Sequence, residues 1–515
     1  MNKTTKKIVL FQPHSFSPTR LCYFAPLALL GISRFLAKDG YTIKIVTPVT
    51  HRNHIESVVA EAKDAICLGI SAITGYSIYD GLRAARAVRS VNPSLPIIWG
   101  GWHPSILPQE TVQDDNVDIV VKGQGERTFY ELVKAIENKE TLSSIPGVVF
   151  KGENRQIIEN VDRPLESLDN FPPIPYHLVD IEKFIVPQEY GQRSLSYYTS
   201  YGCPYRCIFC VEQVVNKRAW VGLSPEKAAE EIADMKSKYQ IDSVQIIDSN
   251  FFINEDRAYR FARSLLDKKV NIKWGNVNGR TRQLSQYGEN TWQLMKESGL
   301  SCILIGAESG DNETLKYMQK DITVEDTLKL TEICGKYNIK ILSSFLVGFP
   351  RVNDAKKSYH TVEKEIRDAF SLIDKMLKIF PRIRMMFALY LPYPSTALFK
   401  LSRETGLEVP KKLEDWHKYL IAAEDATQLK VRQTWITKNQ ARKILMASIY
   451  IFFFLDPDSF NLVTAKITNR LFKYLLFIGF SLFKSIARVR WKYKYFEYPI
   501  DFYLYNLLRK YSKLG

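Results

Sequence analysis

The sequence predicts an α/β protein in three parts: a doubly wound parallel sheet, an incomplete β/α barrel of six units, and a helical C-terminal region. Three observations predict it. Between residues 7 and 138 five short β-branched runs alternate with amphipathic segments. From Leu195 the alternation resumes for six more strand-like runs. Beyond residue 400 glycines become sparse and aromatic residues frequent. Strands that alternate with helix-length amphipathic stretches build parallel sheets covered on their faces.

In the first part the strand-like runs are Ile8–Phe11, Tyr41–Thr47, Ala65–Ile70, Pro96–Trp99 and Val117–Val121, with helical patterns at Leu27–Ala37, Tyr79–Val91 and Glu126–Glu137. Ligands of such sheets sit beyond the carboxyl ends of the strands, where glycine lets the backbone come close. Those ends read Gly69-Ile70-Ser71-Ala72-Ile73-Thr74, Gly100-Gly101-Trp102-His103-Pro104 and Lys122-Gly123-Gln124-Gly125-Glu126. A hairpin around Gly152-Glu153-Asn154 and a proline-bearing stretch through Pro175 form the expected connection. The boundaries expected are 1–146, 147–190 for hairpin and linker, 191–405 and 406–515.

In the central part the runs are Leu195–Thr199, Ser243–Ile247, Ile272–Trp274, Cys302–Ile305, Ile341–Val347 and Ile383–Leu389. The clearest intervening helix opens at Ser224-Pro225-Glu226, an N-cap followed by proline at the first helical position, with Ala228, Ile232, Met235 and Tyr239 on its apolar face. Barrels of this kind do their chemistry at the carboxyl ends of the strands. Those ends carry three cysteines, then Asp248-Ser249-Asn250-Phe251, then Asn278 and Arg280, then Gly306-Ala307-Glu308-Ser309-Gly310, Gly348-Phe349-Pro350 and Tyr390-Leu391-Pro392-Tyr393-Pro394.

The composition, 46% hydrophobic and 24% charged over 515 residues, excludes a disordered or fibrous chain. Seven cysteines without a paired framework suit a reducing, cytoplasmic compartment, and the apolar run Ile8–Phe11 is too short for a signal peptide. The net charge of +16 is concentrated: residues 466–515 hold eleven Lys and Arg against Glu497 and Asp501. The apolar runs Ile444–Leu455 and Tyr474–Phe483 fall short of the ~20 residues that span a bilayer. Two uses of this tail remain, a helical cap packed on the catalytic unit and a peripheral contact with an anionic membrane surface. No nucleic-acid partner is expected.

The chemistry centres on Tyr201-Gly202-Cys203-Pro204-Tyr205-Arg206-Cys207-Ile208-Phe209-Cys210, three cysteines spaced C-x3-C-x2-C. The other four stand singly at 22, 67, 302 and 334, so the site supplies three thiolates. A structural zinc ion closes with four ligands, and an electron-transfer cluster takes four thiolates. An unusual zinc loop and three incidental thiols are the plain alternatives. A four-iron cluster on three cysteines keeps one iron open to a ligand that is not protein. The spacing resembles the signature of the radical S-adenosylmethionine (SAM) superfamily.

That resemblance implies a [4Fe–4S] cluster on Cys203, Cys207 and Cys210, chelation of the SAM amine and carboxylate by the open iron, and release of a 5′-deoxyadenosyl radical. An external electron donor of flavodoxin or ferredoxin type is implied with it. Phe209 matches the aromatic residue before the last cysteine, Asp248 and Asn250 the positions that face the SAM amine or the cluster, Glu308 the acid that holds the ribose, and Gly348 the glycine that leaves room for adenine. Arg280 stands beside them as a further SAM-binding residue. An ammonium, two hydroxyls and a flat base call for such acceptors and such bare backbone.

The first part resembles the Rossmann-like cobalamin-binding domain found ahead of many radical SAM enzymes, which makes the second a partial TIM barrel. Ser71-Ala72-Ile73 is similar to the Ser-x-Leu element beside the nucleotide tail, and Gly100-Gly101 to the paired glycines that admit it. Thr74, His103 and Gly123 complete the implied cobalamin set. The Asp-x-His-x-x-Gly loop that ligates cobalt is absent, and Gln12-Pro13-His14-Ser15-Phe16-Ser17 stands in its place. A Rossmann-like domain that binds no corrin is the alternative.

The combination implies hydrogen abstraction from an unactivated carbon followed by methyl transfer from methylcobalamin, SAM serving both steps. Cyclisation or rearrangement without methyl transfer, as in the anaerobic magnesium-protoporphyrin ester cyclase that this domain order resembles, is the nearest alternative. A non-catalytic corrin- or cluster-binding module is the alternative of another class. The apolar, basic tail points to a large hydrophobic substrate.

Overall fold

The computed structural model describes residues 6–15, 21–351, 355–419, 433–464, 467 and 469–512; Phe16 and Ser17 of the His14 loop and Lys466 of the tail lie outside them. In the first unit five strands, β1 (Lys7–Phe11), β2 (Thr42–Val46), β3 (Cys67–Ser71), β4 (Ile97–Gly100) and β5 (Ile119–Val121), lie parallel in the order β2-β1-β3-β4-β5. All but a few of their residues are buried, as a sheet covered on both faces requires. The chain leaves β1 towards β2 on one side and reaches β3 on the other, so the strand order reverses between β1 and β3. A crevice opens at the carboxyl ends of such a pair.

Two features of this unit go beyond the sequence pattern. The expected hairpin, β6 (Val148–Lys151) and β7 (Ile157–Glu159), is no free connector: it extends the sheet antiparallel to β5. It thereby covers the unpaired edge that β5 would present, with Val148, Val149 and Phe150 buried. A helix at His54–Glu61, between β2 and β3, breaks no proline or glycine rule and carries too short an apolar stripe to stand out.

The second unit runs β8 (Val186–Gln188), β9 (Gly191–Tyr197), β10 (Ser200–Gly202), β11 (Trp220–Gly222), β12 (Ser243–Ile246), β13 (Lys273–Gly275), β14 (Val277–Gly279), β15 (Cys302–Glu308), β16 (Lys340–Val347) and β17 (Ile383–Leu389). The third expected strand is broken in two at Asn276, whose φ of 56° is left-handed, a conformation asparagine tolerates. Its first half β13 pairs with β12, and its second half β14 pairs with β15. The result is two four-stranded sheets, β13-β12-β9-β8 and β14-β15-β16-β17, bridged at Trp274 and Leu300 into one open arc rather than a closed barrel. The helix Pro225–Tyr239 buries Ala228, Ile232 and Met235 as its spacing requires, but Ser224 does not cap it with its side chain. The Ser224 hydroxyl donates instead to Asp169, 3.0 Å away.

The two apolar runs of the tail part company. Residues 444–455 form a continuous helical rod, Lys438–Leu445, one wider turn at Met446–Ile451, and Phe452–Leu455, with Met446, Ala447, Tyr450 and Phe452 in the core. Tyr474–Phe483 lies in the helix Arg470–Tyr493, most of whose apolar side chains face solvent. No helix among the described residues is long and apolar enough to cross a membrane.

The strand ends of the two units face one another. Helix Trp102–Ile106, after β4, packs on Glu212–Val215 of the cysteine loop, and Ser395, after β17, donates to the Ile106 carbonyl at 3.0 Å. On the other flank Tyr198 and Tyr201 donate to the buried carboxylate of Glu126 at 3.1 and 2.8 Å.

Candidate active site

The cysteine loop is a cap between two paired strands. β10 and β11 pair antiparallel at its base, and Gly202 turns the chain with φ +83°, where a side chain would collide with the Ala219 carbonyl. Ile208 N donates to Met318 O at 3.1 Å, and Leu398 N to Ile208 O at 3.3 Å, so the segments after β15 and β17 hold the loop in place. All three thiols are half-buried, and burial pushes Cys210 up to about 12 and raises Cys203. Left to itself such a sulfur stays protonated; a bound metal removes the proton. Among the described residues these three sulfurs do not form a group within 4.8 Å of one another. Sulfurs of a tetrahedral zinc site lie about 3.8 Å apart.

Around this loop lie buried polar atoms without protein partners. Asn250 is 3% exposed, and neither its Oδ1 nor its Nδ2 has a hydrogen-bond partner. Its backbone carbonyl, held by the Trp220 indole at 3.0 Å, fixes it at the end of β12. Arg280 is 6% exposed and stacks on Tyr205 at 3.8 Å, while no guanidinium nitrogen has a hydrogen-bond partner and Asp321 stands 3.6 Å away. Gln283 Oε1 is orphaned too. Unsatisfied buried groups of this kind cost about 1–3 kcal/mol each, so their convergence marks a place where a polar ligand supplies the missing bonds. A molecule with amine, carboxylate and hydroxyl groups fits.

Glu308 faces the same space. It sits at a bulge between β15 and β16 with φ +59°, which turns its carboxylate inward. Lys320 meets it at 3.0 Å and Ser344 at 3.4 Å. Burial works against the charge of Lys320, but Glu308 and the nearby Cys207 outweigh it and hold the amine above its ordinary pKa. At Gly306 a Cβ would displace the Glu308 carboxylate and the Lys320 amine from where they stand. Phe209 stacks obliquely on Phe349 at 6.1 Å.

Two expected residues are placed differently. The Asp248 carboxylate is buried and already accepts hydrogen bonds from Thr199 N, Thr199 Oγ1 and Ser200 Oγ, each at 2.6 Å. Through these bonds it ties β12 to the bend before the cysteine loop. Gly348 gives its N–H to Glu365 at 2.7 Å and its carbonyl to the Trp435 indole at 2.9 Å, and a Cβ would strike Ile436 at 2.6 Å. Its bareness serves the covering segment Trp435–Ile436. Lys320, Glu212 and Tyr205 were not anticipated: Glu212, buried so that its pKa is raised, accepts from Ser249 and from Asn216 beside the loop. Tyr205 and Glu212 are marked by their place in and just after the cysteine motif, whereas nothing in the linear spacing marks Lys320.

In the first unit Gly100 has neither a left-handed φ nor crowding, the nearest atom to a Cβ being the Val121 carbonyl at 3.6 Å, and at Gly123 nothing is nearer than 4.0 Å. Gly100 thus has room for a side chain, whereas Gly123, with φ +66°, owes its glycine to the backbone conformation. Gly101, with φ +97°, is required by the Ala72 carbonyl at 2.7 Å. Ser71 is partly exposed at the end of β3. Thr74 and His103 turn inward, hydrogen-bonded to one another at 3.1 Å and fully buried, with His103 against Trp416. Burial depresses His103 to about 3, so it is neutral.

Residues 197–360 match the profile of the radical SAM superfamily, and residues 21–133 that of the B12 binding domain. The chain carries a radical SAM domain and a B12-binding domain. In solved structures of similar fold, TsrM holds cobalamin and a [4Fe–4S] cluster, and OxsB holds aqua-cobalamin and SAM. Over 436 residues it is 26% identical to an uncharacterized methyltransferase of Pyrococcus horikoshii, covering 84% of this chain and 88% of that one. It is 25% identical to the anaerobic magnesium-protoporphyrin IX monomethyl ester cyclase of Synechocystis sp. over 67% of this chain and 70% of that one. Its radical SAM and B12-binding units share the fold of the cobalamin-dependent SAM radical enzyme OxsB, with a TM-score of 0.65 at 18% identity over 98% of this chain and 75% of that one. The methyltransferase TsrM of Kitasatospora setae superposes with a TM-score of 0.61 at 16% identity, over 80% and 83% of the two chains.

Proposed function

We propose that the protein is a cobalamin-dependent radical SAM methyltransferase that acts on an unactivated carbon of a hydrophobic small molecule. The observation that carries this reading is the apposition of the two strand-end faces, the bare glycines of the B12-binding domain opposite the cysteine loop. When bound, the cluster and SAM supply the radical that takes a hydrogen atom, and cobalamin supplies the methyl group. The chain's own residues bind and exclude water. Cys203, Cys207 and Cys210 hold the cluster; Asn250, Arg280 and Glu308 take the polar groups of SAM; Phe209 and Phe349 line the apolar side. Ser71, Gly100, Gly101 and Gly123 border the corrin crevice, with Thr74 and His103 setting its wall from within. No side chain has to act as a base on the substrate carbon, in keeping with radical abstraction.

An electron donor of flavodoxin or ferredoxin type serves the cluster. A hydrophobic substrate gives the tail its use. Leu471, Leu475, Ile478 and Leu482 form a stripe at helical spacing, each more than half exposed, on a tail with a net charge of +9. We assign this face to peripheral contact with an anionic membrane surface, which binds apolar and cationic groups together.

The deciding experiment is anaerobic reconstitution with iron, sulfide, cobalamin and SAM, then reduction and mass analysis. Joint accumulation of 5′-deoxyadenosine and S-adenosylhomocysteine, dependent on cobalamin, is the expected result. 5′-Deoxyadenosine alone would replace methyl transfer by cyclisation or rearrangement, the reading favoured by the cyclase relatives.

A further inference from the structure

A second cluster of metal-binding side chains lies beyond the carboxyl ends of β1, β2 and β3. His14 follows β1, His54 opens the helix His54–Glu61 after β2, and Asp80 lies in the helix Tyr76–Val91 after β3. One ring nitrogen of each histidine and one carboxylate oxygen of Asp80 lie within 4.8 Å of one another, the only such trio among the described residues. His54 Nε2 is 3.2 Å from Asp80 Oδ1, and Asp80 Oδ2 accepts the His14 backbone N–H at 3.0 Å. The two rings meet edge to face at 5.1 Å, His54 stacking on Phe11 and His14 against Tyr76.

The Asp80 side chain has no exposed surface, and Arg83, half in solvent, stands 3.4 Å from it. A buried carboxylate is stabilised by positive charge beside it, and a divalent ion held between the two rings and Asp80 supplies that charge. Metal–nitrogen and metal–oxygen bonds of about 2.0–2.2 Å are reached from this spacing by small side-chain rotations. Two imidazoles and one carboxylate select zinc, iron, cobalt or manganese over magnesium or calcium. We propose that His14, His54 and Asp80 bind one divalent transition-metal ion, which pins the segment after β1 across the openings of two helices. The site is built on the segments after β1, β2 and β3, whereas the glycines follow β4 and β5, and it stands whether or not the protein methylates anything.

The test uses the full chain with Cys203, Cys207 and Cys210 changed to Ala, so that thiolates do not compete, and without cobalamin. Zn2+ is titrated by calorimetry and Co2+ by its visible d–d absorption. One ion per chain is expected, bound at least tenfold more weakly in His14→Gln and in His54→Gln. No stoichiometric uptake, or uptake unchanged in both variants, overturns the proposal. X-ray absorption of the zinc-loaded parent needs no further variant: two imidazoles in the coordination shell support the site, and a shell of oxygen alone refutes it. Nitrogen hyperfine structure on the Co(II) signal of cobalamin-loaded wild type, lost in His14→Gln, would assign His14 to cobalt in the corrin and also overturn it.

Discussion

Glu308→Gln tests the SAM side of the site most sharply. The carboxylate is paired with Lys320 at 3.0 Å, and their side chains are 7% and 13% exposed. Removing one member of a buried pair costs about 3–5 kcal/mol; glutamine keeps an acceptor for the amine, so the loss falls towards the lower end of that range. Lys320→Met should cost a similar amount. The double variant removes both charges, and its cost should fall short of the sum by about 2–4 kcal/mol, since no unpaired charge is left behind. Ligand binding separates pairing from recognition. A charge-assisted hydrogen bond is worth about 1.5–3 kcal/mol, so Glu308→Gln should weaken SAM roughly 10- to 150-fold in equilibrium dialysis with the reconstituted protein. If stability falls as stated while the SAM dissociation constant moves less than twofold, Glu308 serves only Lys320 and the ribose assignment is wrong.

Gly202→Ala should lower the iron bound per chain after reconstitution, because φ +83° costs a side chain about 1–2 kcal/mol before the collision with the Ala219 carbonyl is counted; full iron loading would show that the turn does not position the cysteines. His103 is held near 3 against 6.5 when unfolded, so the unfolded chain binds the extra proton and stability falls as pH drops below 6.5. At pH 5 this amounts to about 2 kcal/mol, and His103→Leu should remove that part of the acid sensitivity in urea melts of the protein at pH 7 and pH 5. Leu475→Asp with Leu482→Asp should abolish sedimentation with anionic vesicles while leaving the melting profile intact, since both side chains face solvent; unchanged sedimentation removes the membrane face.

The cysteine motif was legible because a thiolate cluster needs sulfurs at short loop spacing, which is a one-dimensional fact. Glu308, Asn250 and Arg280 were legible for a related reason: each follows a strand, and the strand ends of one arc converge. Asp248 shows the limit. It follows a strand like the others, yet Thr199 and Ser200 already give its carboxylate three hydrogen bonds, which no local pattern foretells. Gly348 is similar, a glycine whose reason lies 88 residues on at Ile436.

The sequence by itself determined the order of units, the strands and the metal-ligating loop, because period-two and period-3.6 patterns and local cysteine spacing are properties of neighbours in the chain. The tertiary structure decided which polar atoms at the strand ends remain unsatisfied, and that Lys320 comes to Glu308. It also decided that one apolar run of the tail is buried while the other is bare, and that His14, His54 and Asp80 meet. Those outcomes depend on burial and on contacts between residues far apart in the chain. Hydrogen-bond supply and the cost of buried charge are set by whatever folding brings alongside.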